Sequence, residues 1–457
     1  MLFKCDWENM ASKSTLIKNA FIVNEGKVFQ SDLLIKDGKI EEVAPSISNY
    51  PTDTIIIDAK GKYLLPGVID THVHFREPGL VHKADIYTES KAAVAGGVTS
   101  FMDMPNTVPA VLTQELLEDK FKLAKEKAFA NYSFYMGTSN TNLSEVVKTD
   151  PKNVCGVKIY LGQSTGNMCV DDPNAIEQLF TQCPTLLAAH CEDEHIIEEN
   201  SAKFREKYGE NPPPASHPLI RTEECCYKSS HHAVDLAKKH NTRLHIVHVS
   251  TAKETNLFEN KTPLEQKRIT AEVCVHHLWF SDKDYANKGN WIKWNPAIKT
   301  ENDRTGLMKA LLENKIDTVA TDHAPHTHDE KEQEYFCCPS GAPMVQHSLV
   351  AMLEFHHAGR MSLETIVEKM CHAPATCFHI DKRGFMRKGY WADLTLVDLN
   401  SPWKAEKSNI LYKCGWGPME GETFHAKVVN TFVNGHLVYN NGKFDESVKG
   451  MRLTFNR

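Results

Sequence analysis

His72 and His74 stand two residues apart, where an apolar β-forming run that begins near residue 63 gives way to Phe75-Arg76-Glu77-Pro78-Gly79. Side chains alternate across a strand, so the two imidazoles face the same way. Two imidazoles on one face at a strand's end can hold one divalent metal ion. Alone, the pair carries little weight in a chain with 23 histidines. Other apolar runs, however, end on residues of the same kind. Lys158 lies within Gly156-Val157-Lys158-Ile159-Tyr160, His190 closes the run near 185–189, His248 the run near 243–249, and Asp322 the run near 316–321. Imidazoles and a carboxylate are metal ligands, whereas a protonated lysine repels cations. A lysine buried in an apolar strand loses its proton readily. The neutral amine can then take up carbon dioxide as a carbamate, whose two oxygens can bridge metals about 3.5–4 Å apart. The chemistry these residues could support is that of a centre holding one or two metal ions.

His245 competes with His248 for the same role. The two are three residues apart, which in an extended strand puts them on opposite faces. His248 lies nearer the strand's end, so it is the expected ligand and His245 the packed histidine on the helix side. The doublets His231-His232, His276-His277 and His356-His357 are expected to be structural or on the surface.

Side chains so far apart in sequence meet only if the fold gathers strand ends. Apolar, β-branched segments recur at about 63–69, 98–104, 132–136, 154–159, 185–189, 243–249, 268–275 and 316–321. Most are separated by helically patterned stretches at 113–129, 171–183, 221–240 and 302–314. Eight strands alternating with helices predict a (β/α)₈ barrel over 63–379, whose catalytic groups come from several strand ends on one rim. Both termini are β-rich and punctuated by turns such as Lys36-Asp37-Gly38 and Asn434-Gly435. They predict a small β-sandwich domain composed of 1–62 and 380–457.

Composition narrows the class. The chain has 457 residues, 41% hydrophobic and 24% charged, with a net charge of −7 and dispersed lysines and arginines. That argues against a nucleic-acid surface. No apolar run reaches the roughly 18 residues needed to span a bilayer, and Met1–Ser14 mixes charges into its few apolar residues, unlike a signal peptide. Thirteen scattered cysteines without a Cys-x-x-Cys pair suggest reduced packing residues and a cytoplasmic location.

Beyond spacing, the connecting motifs carry a resemblance. They are His72-Val73-His74-Phe75-Arg76-Glu77-Pro78-Gly79, Met104-Pro105-Asn106-Thr107, His190-Cys191-Glu192, His248-Val249-Ser250, Asn295-Pro296 and Thr321-Asp322-His323-Ala324-Pro325-His326. Together with Gly389-Tyr390-Trp391-Ala392-Asp393-Leu394 they span nearly the whole chain. They resemble the amidohydrolase superfamily, and dihydroorotases in particular. The resemblance implies two Zn2+ ions, one held by His72, His74, carboxylated Lys158 and Asp322, the other by Lys158, His190 and His248. It implies reversible hydrolysis of dihydroorotate to N-carbamoyl-L-aspartate, a step of pyrimidine synthesis, by a zinc-activated hydroxide. Asp322 is then the proton carrier, and Arg76, Asn106, Asn295 and His326 surround the substrate. An arginine suits the substrate's carboxylate, which its planar fork can hold with two hydrogen bonds.

Some positions depart from the pattern. Cys274-Val275 stands for a more usual Thr-Pro, Trp294 for a smaller residue, and the segment after His326, through Cys337-Cys338-Pro339-Ser340-Gly341-Ala342-Pro343, matches only loosely. An allantoinase or dihydropyrimidinase-like cyclic amidase is the competing enzymatic expectation, with Arg76 against it. An inactive scaffold is the non-catalytic one, with the complete set of six ligands against it. The expected partner is the small-molecule substrate, in a free-standing chain without nucleic acid or membrane, and a homodimer is the assembly to test.

Overall fold

The structure, a computed structural model, describes residues 14–162 and 168–457. The N-terminal strands are β1 (Ser14–Asn24), β2 (Lys27–Lys36), β3 (Lys39–Ala44), β4 (Ile55–Asp58) and β5 (Tyr63–Pro66). The barrel strands are β6 (Val68–Val73), β7 (Val98–Asp103), β8 (Asn131–Gly137), β9 (Gly156–Tyr160), β10 (Leu187–His190), β11 (Leu244–Ile246), β12 (Ile269–Cys274) and β13 (Thr318–Ala320). Six more follow: β14 (Leu394–Asp398), β15 (Trp403–Lys404), β16 (Thr423–Phe424), β17 (Lys427–Val433), β18 (His436–Asn440) and β19 (Lys443–Phe444).

Strands from both ends share one continuous sheet, ordered β19-β18-β17-β14-β5-β1-β2-β3, with β4 paired to β1. One apolar cluster of this sheet draws on both ends of the chain. Ile17, Ile22, Leu33 and Leu64 from the front of the chain meet Leu394, Leu396 and Phe432 from the back.

The segment read as the first barrel strand, 63–69, divides between the two sheets. Tyr63–Pro66 pairs with β1 and β14, and the barrel begins at Val68. Gly67 makes the transfer, because a Cβ there would lie 2.1 Å from Thr99 Oγ1.

The eight barrel strands are parallel neighbours in chain order from β6 to β13. A bridge between Val73 and His323, with His74 N donating to His323 O at 2.7 Å, brings the ends of the sheet together. The strands are buried on both faces, which explains their unbroken apolar runs. Helices Ile86–Ala95, Gln114–Lys127, Pro173–Gln182, Glu223–His240 and Glu301–Leu312 lie on the connections. The second of these shows why such segments fold and dock. Thr113 caps its N-terminus by accepting from Leu116 N. Leu117, Lys120, Phe121 and Ala124 form its buried face at helical spacing.

At the other end of the barrel, Ile69, Cys155 and Leu186 from strand beginnings pack with Phe378, Leu453 and Phe455. The C-terminal segment runs beside β8, with Tyr132 N donating to Met451 O and Leu453 N to Tyr132 O. That end of the barrel is filled by packed side chains. No helix among the described residues is long and apolar enough to cross a membrane, and the cysteines among them are all free.

Candidate active site

One cleft at the C-terminal ends of the strands is lined by His72, His74, Arg76, Lys158, Tyr160, His190, His248, Trp294, Asn295, Asp322, Ser340 and Gly341, among others. It gathers eight of the ten residues singled out from the sequence. His72 ends its strand's apolar run from within β6 and His74 lies just past it; Lys158 is at the centre of β9, and His190 is the last residue of β10. His248 and Asp322 each lie two residues past their strands. Three of these residues have left-handed backbones, with φ of +67° at Arg76, +42° at His248 and +45° at Asp322. That conformation is uncommon outside glycine, and it re-aims a side chain that simple alternation would misplace.

The His245 expectation is corrected by that turn. Instead of facing the helices, His245 is fully buried inside the barrel, its Nδ1 2.8 Å from Thr270 Oγ1 and its ring against Phe378. β11 stops at Ile246, and the left-handed turn at His248 brings both imidazoles inward. The doublets divide between surface and interior. His231, His232 and His357 are exposed, while His276 and His277 are buried. His276 stacks on Trp294 at 4.0 Å, and Trp294 Nε1 donates to Asp322 O at 3.3 Å.

The polar atoms converge. Asp322 Oδ1 lies 3.3 Å from His72 Nε2 and 3.1 Å from His74 Nε2. His190 Nδ1 and His248 Nε2 are 2.9 Å apart. Ligand atoms of His72, His248 and Asp322 all lie within 4.8 Å of one another. Burial pushes His74 down to about 4 and also lowers His190 and His248, so these rings are neutral with lone pairs to offer. Burial pushes Asp322 up, but His72 and His74 outweigh it and hold the carboxyl below its usual range. Lys158 Nζ is buried without a hydrogen-bond partner, 4.9 Å from the Tyr160 ring centre, and burial lowers its pKa to about 8. Neutral imidazoles, an ionised carboxylate and an orphaned buried amine together fit a metal centre better than they fit one another.

The two remaining predicted residues stand one layer behind. Asn106 Oδ1 is 2.7 Å from His74 Nδ1, which makes it a brace for that ring. His326 Nε2 is 3.0 Å from an Arg76 terminal nitrogen, while Arg76 Nε donates to Pro325 O. Asn295 lines the cleft with its Oδ1 buried and unpartnered.

Sequence reasoning missed Glu272. Its Oε1 lies 2.9 Å from His72 Nδ1 and accepts from His248 N, and its Oε2 accepts from Thr71 Oγ1 at 2.8 Å. The signal was present, since Glu272 is the single charge in Ile269-Thr270-Ala271-Glu272-Val273-Cys274-Val275. Tyr160 was also missed. It follows Lys158 by two and so shares its face, and its buried hydroxyl has no partner.

Residues 63–438 match the sequence profile of the amidohydrolase family. The chain belongs to the amidohydrolase family. A protein named dihydroorotase from Pyrococcus furiosus is 31% identical to this amidohydrolase over 438 residues, covering 96% of this chain and 95% of that one. Another named dihydroorotase, from Bacillus cereus, is 32% identical over 441 residues and covers 93% and 98%. Among solved structures, an L-hydantoinase (dihydropyrimidinase) from Arthrobacter aurescens superposes with a TM-score of 0.90 at 26% identity, covering 96% of this chain and 99% of that one. A dihydropyrimidinase from Brevibacillus agri, at 22% identity and a TM-score of 0.86, shares the fold.

Proposed function

We propose that this amidohydrolase is a dihydroorotase, which hydrolyses the cyclic amide of dihydroorotate to N-carbamoyl-L-aspartate, and recloses it, in pyrimidine synthesis. The observation that carries this reading is Arg76. Its guanidinium is buried in the wall of the cleft that holds the histidines and Asp322, beside His326. A buried cation with no carboxylate within ion-pair reach among the described residues suits a ligand that brings its own. The names of the relatives at 31–32% identity support the same substrate.

His72, His74 and Asp322 would hold one Zn2+, His190 and His248 the other, with carboxylated Lys158 between them. Bound there, the ions supply Lewis acidity toward an amide carbonyl and make water acidic enough to react near neutral pH. Asp322, held ionised, takes the proton from the attacking water and delivers it to the leaving ring nitrogen. Arg76 binds the carboxylate and orients the ring, and Asn295 Oδ1 offers an acceptor to a ring N–H. Glu272 fixes His72 with its Nε2 toward the cleft.

The likeness in shape to the hydantoinase favours a second reading, an amidase of uncharged rings. Turnover of dihydroorotate, dihydrouracil and hydantoin by the purified protein, with metal analysis, tests both. Dihydroorotate should be the preferred substrate by orders of magnitude; preference for either uncharged ring would overturn the proposal.

Two variants test the metal assignment. Lys158→Ala should stay folded, lose most bound zinc and become inactive, with partial recovery in short carboxylic acids. Two bound zincs and normal turnover in that variant would exclude the bridging role. Glu272→Gln should keep the fold and weaken zinc affinity about 10–100-fold, the usual effect of removing a ligand's outer partner. Unchanged affinity in a chelator titration would make Glu272 a packing residue only.

A further inference from the structure

The segment after His326, where the family motifs fade, forms one wall of the cleft through Ser340 and Gly341. Two buried lysines hold it. Lys293, just ahead of Trp294-Asn295, donates to Tyr335 O and Cys338 O, both at 2.6 Å. Lys331, the last residue of the short helix His328–Lys331, donates to Pro339 O at 2.9 Å and Gly341 O at 3.0 Å. Lys293 is 6% exposed and Lys331 1%. Neither has a carboxylate within ion-pair distance among the described residues.

A buried lysine nitrogen without a counter-charge is costly unless acceptors surround it. Here the acceptors are four peptide carbonyls of one seven-residue stretch. Because a peptide unit is planar, four carbonyls held this way also set the direction of the attached N–H groups. The stretch meets the site as well. Gly341 N donates to Lys293 O at 2.8 Å, and Ala324 N donates to Ala342 O at 3.0 Å. Gly341 has a φ of +128°, and a Cβ there would lie 2.6 Å from Ala324 O and 3.1 Å from His326 Nε2. That imidazole also contacts Arg76 and Ser340 O, each at 3.0 Å.

We propose that Lys293 and Lys331 are positioning residues, which clamp residues 335–341 as a rigid lip and so hold His326 and Arg76 in register for substrate. Neither lysine touches the histidine cluster or Asp322 through any hydrogen bond or ion pair. Their loss should therefore loosen substrate capture while leaving the chemical step and the metal ligands in place. This inference rests on the proposed function only for the choice of substrate.

The test compares native protein with Lys331→Met, Lys331→Gln and Lys293→Met. Hydrogen–deuterium exchange reports the lip directly through the amides of Cys337, Cys338 and Gly341, which are hydrogen-bonded in the native fold. Exchange there should quicken about tenfold or more in both methionine variants and stay native elsewhere, as expected for losing two buried hydrogen bonds. With dihydroorotate, KM should rise about tenfold, with kcat within about threefold of native and bound metal unchanged. Glutamine keeps two N–H donors and should recover part of both effects. Native lip exchange in both methionine variants would overturn the clamp, as would a fall in kcat accompanied by metal loss. Exchange needs no substrate, so native protein inactive on dihydroorotate would count against the substrate assignment, and the exchange result would still decide the clamp.

Discussion

Asp322→Asn is expected to lower kcat by about 10²–10⁴-fold, the usual worth of a positioned acid–base group, with a much smaller effect on substrate binding. The carboxylate has two tasks in this site. Its Oδ1 lies between the inner nitrogens of His72 and His74, at 3.3 and 3.1 Å. It is also held ionised by those neighbours against the effect of burial. Asparagine is close in size and can keep the contact to one ring, so the fold should survive. It cannot accept the proton of water and return it to a leaving nitrogen. The backbone at 322 is left-handed, with φ of +45°, a conformation that asparagine tolerates as well as aspartate does. Loss of turnover in this variant with its bound metal retained is therefore chemical. Steady-state kinetics with a circular dichroism check would measure it, and a variant retaining more than about a tenth of native kcat would rule out the proton-carrying role.

Arg76→Ala should cost about 30- to several thousand-fold in kcat/KM for dihydroorotate. Truncating one partner of a desolvated charge pair removes about 2–5 kcal/mol, at roughly 1.4 kcal/mol per decade. The structure sharpens the expectation for lysine at this position. The guanidinium is braced by Pro325 O through Nε and by His326 through a terminal nitrogen. A lysine has one nitrogen to divide among these partners and the carboxylate, so Arg76→Lys should rescue poorly. Dihydrouracil has no carboxylate, so its already slow turnover should fall little further. Equal losses for charged and uncharged rings would make Arg76 structural, and the substrate assignment would retreat to a cyclic amidase of unknown preference.

Much of this site is legible in the amino-acid sequence by itself. Barrel strands buried on both faces must be continuous apolar runs, so a histidine, lysine or aspartate within or at the end of such a run is conspicuous. That makes His72, His74, Lys158, His190, His248 and Asp322 readable as a set. The same rule applies to Glu272, the single charge in its own run. The fold is readable for a related reason. Helical stretches such as 113–129 alternate with most of the eight apolar runs, the pattern of a parallel α/β barrel.

What the tertiary structure alone decided depends on local backbone turns and long-range contacts. Strand alternation puts His245 and His248 on opposite faces, and a left-handed φ at His248 places both inside. The run 63–69 reads as one strand, but Gly67 divides it between two sheets, because Thr99 lies too close for any side chain there. Asn106 and His326 are expected around the substrate, and they brace His74 and Arg76 from behind. The lip after His326 has no readable pattern. Its conformation comes from carbonyls bound to Lys293 and Lys331, and a carbonyl is the same in every residue type. Side-chain periodicity records which face of a strand is buried; it carries no record of backbone groups held by residues many positions away.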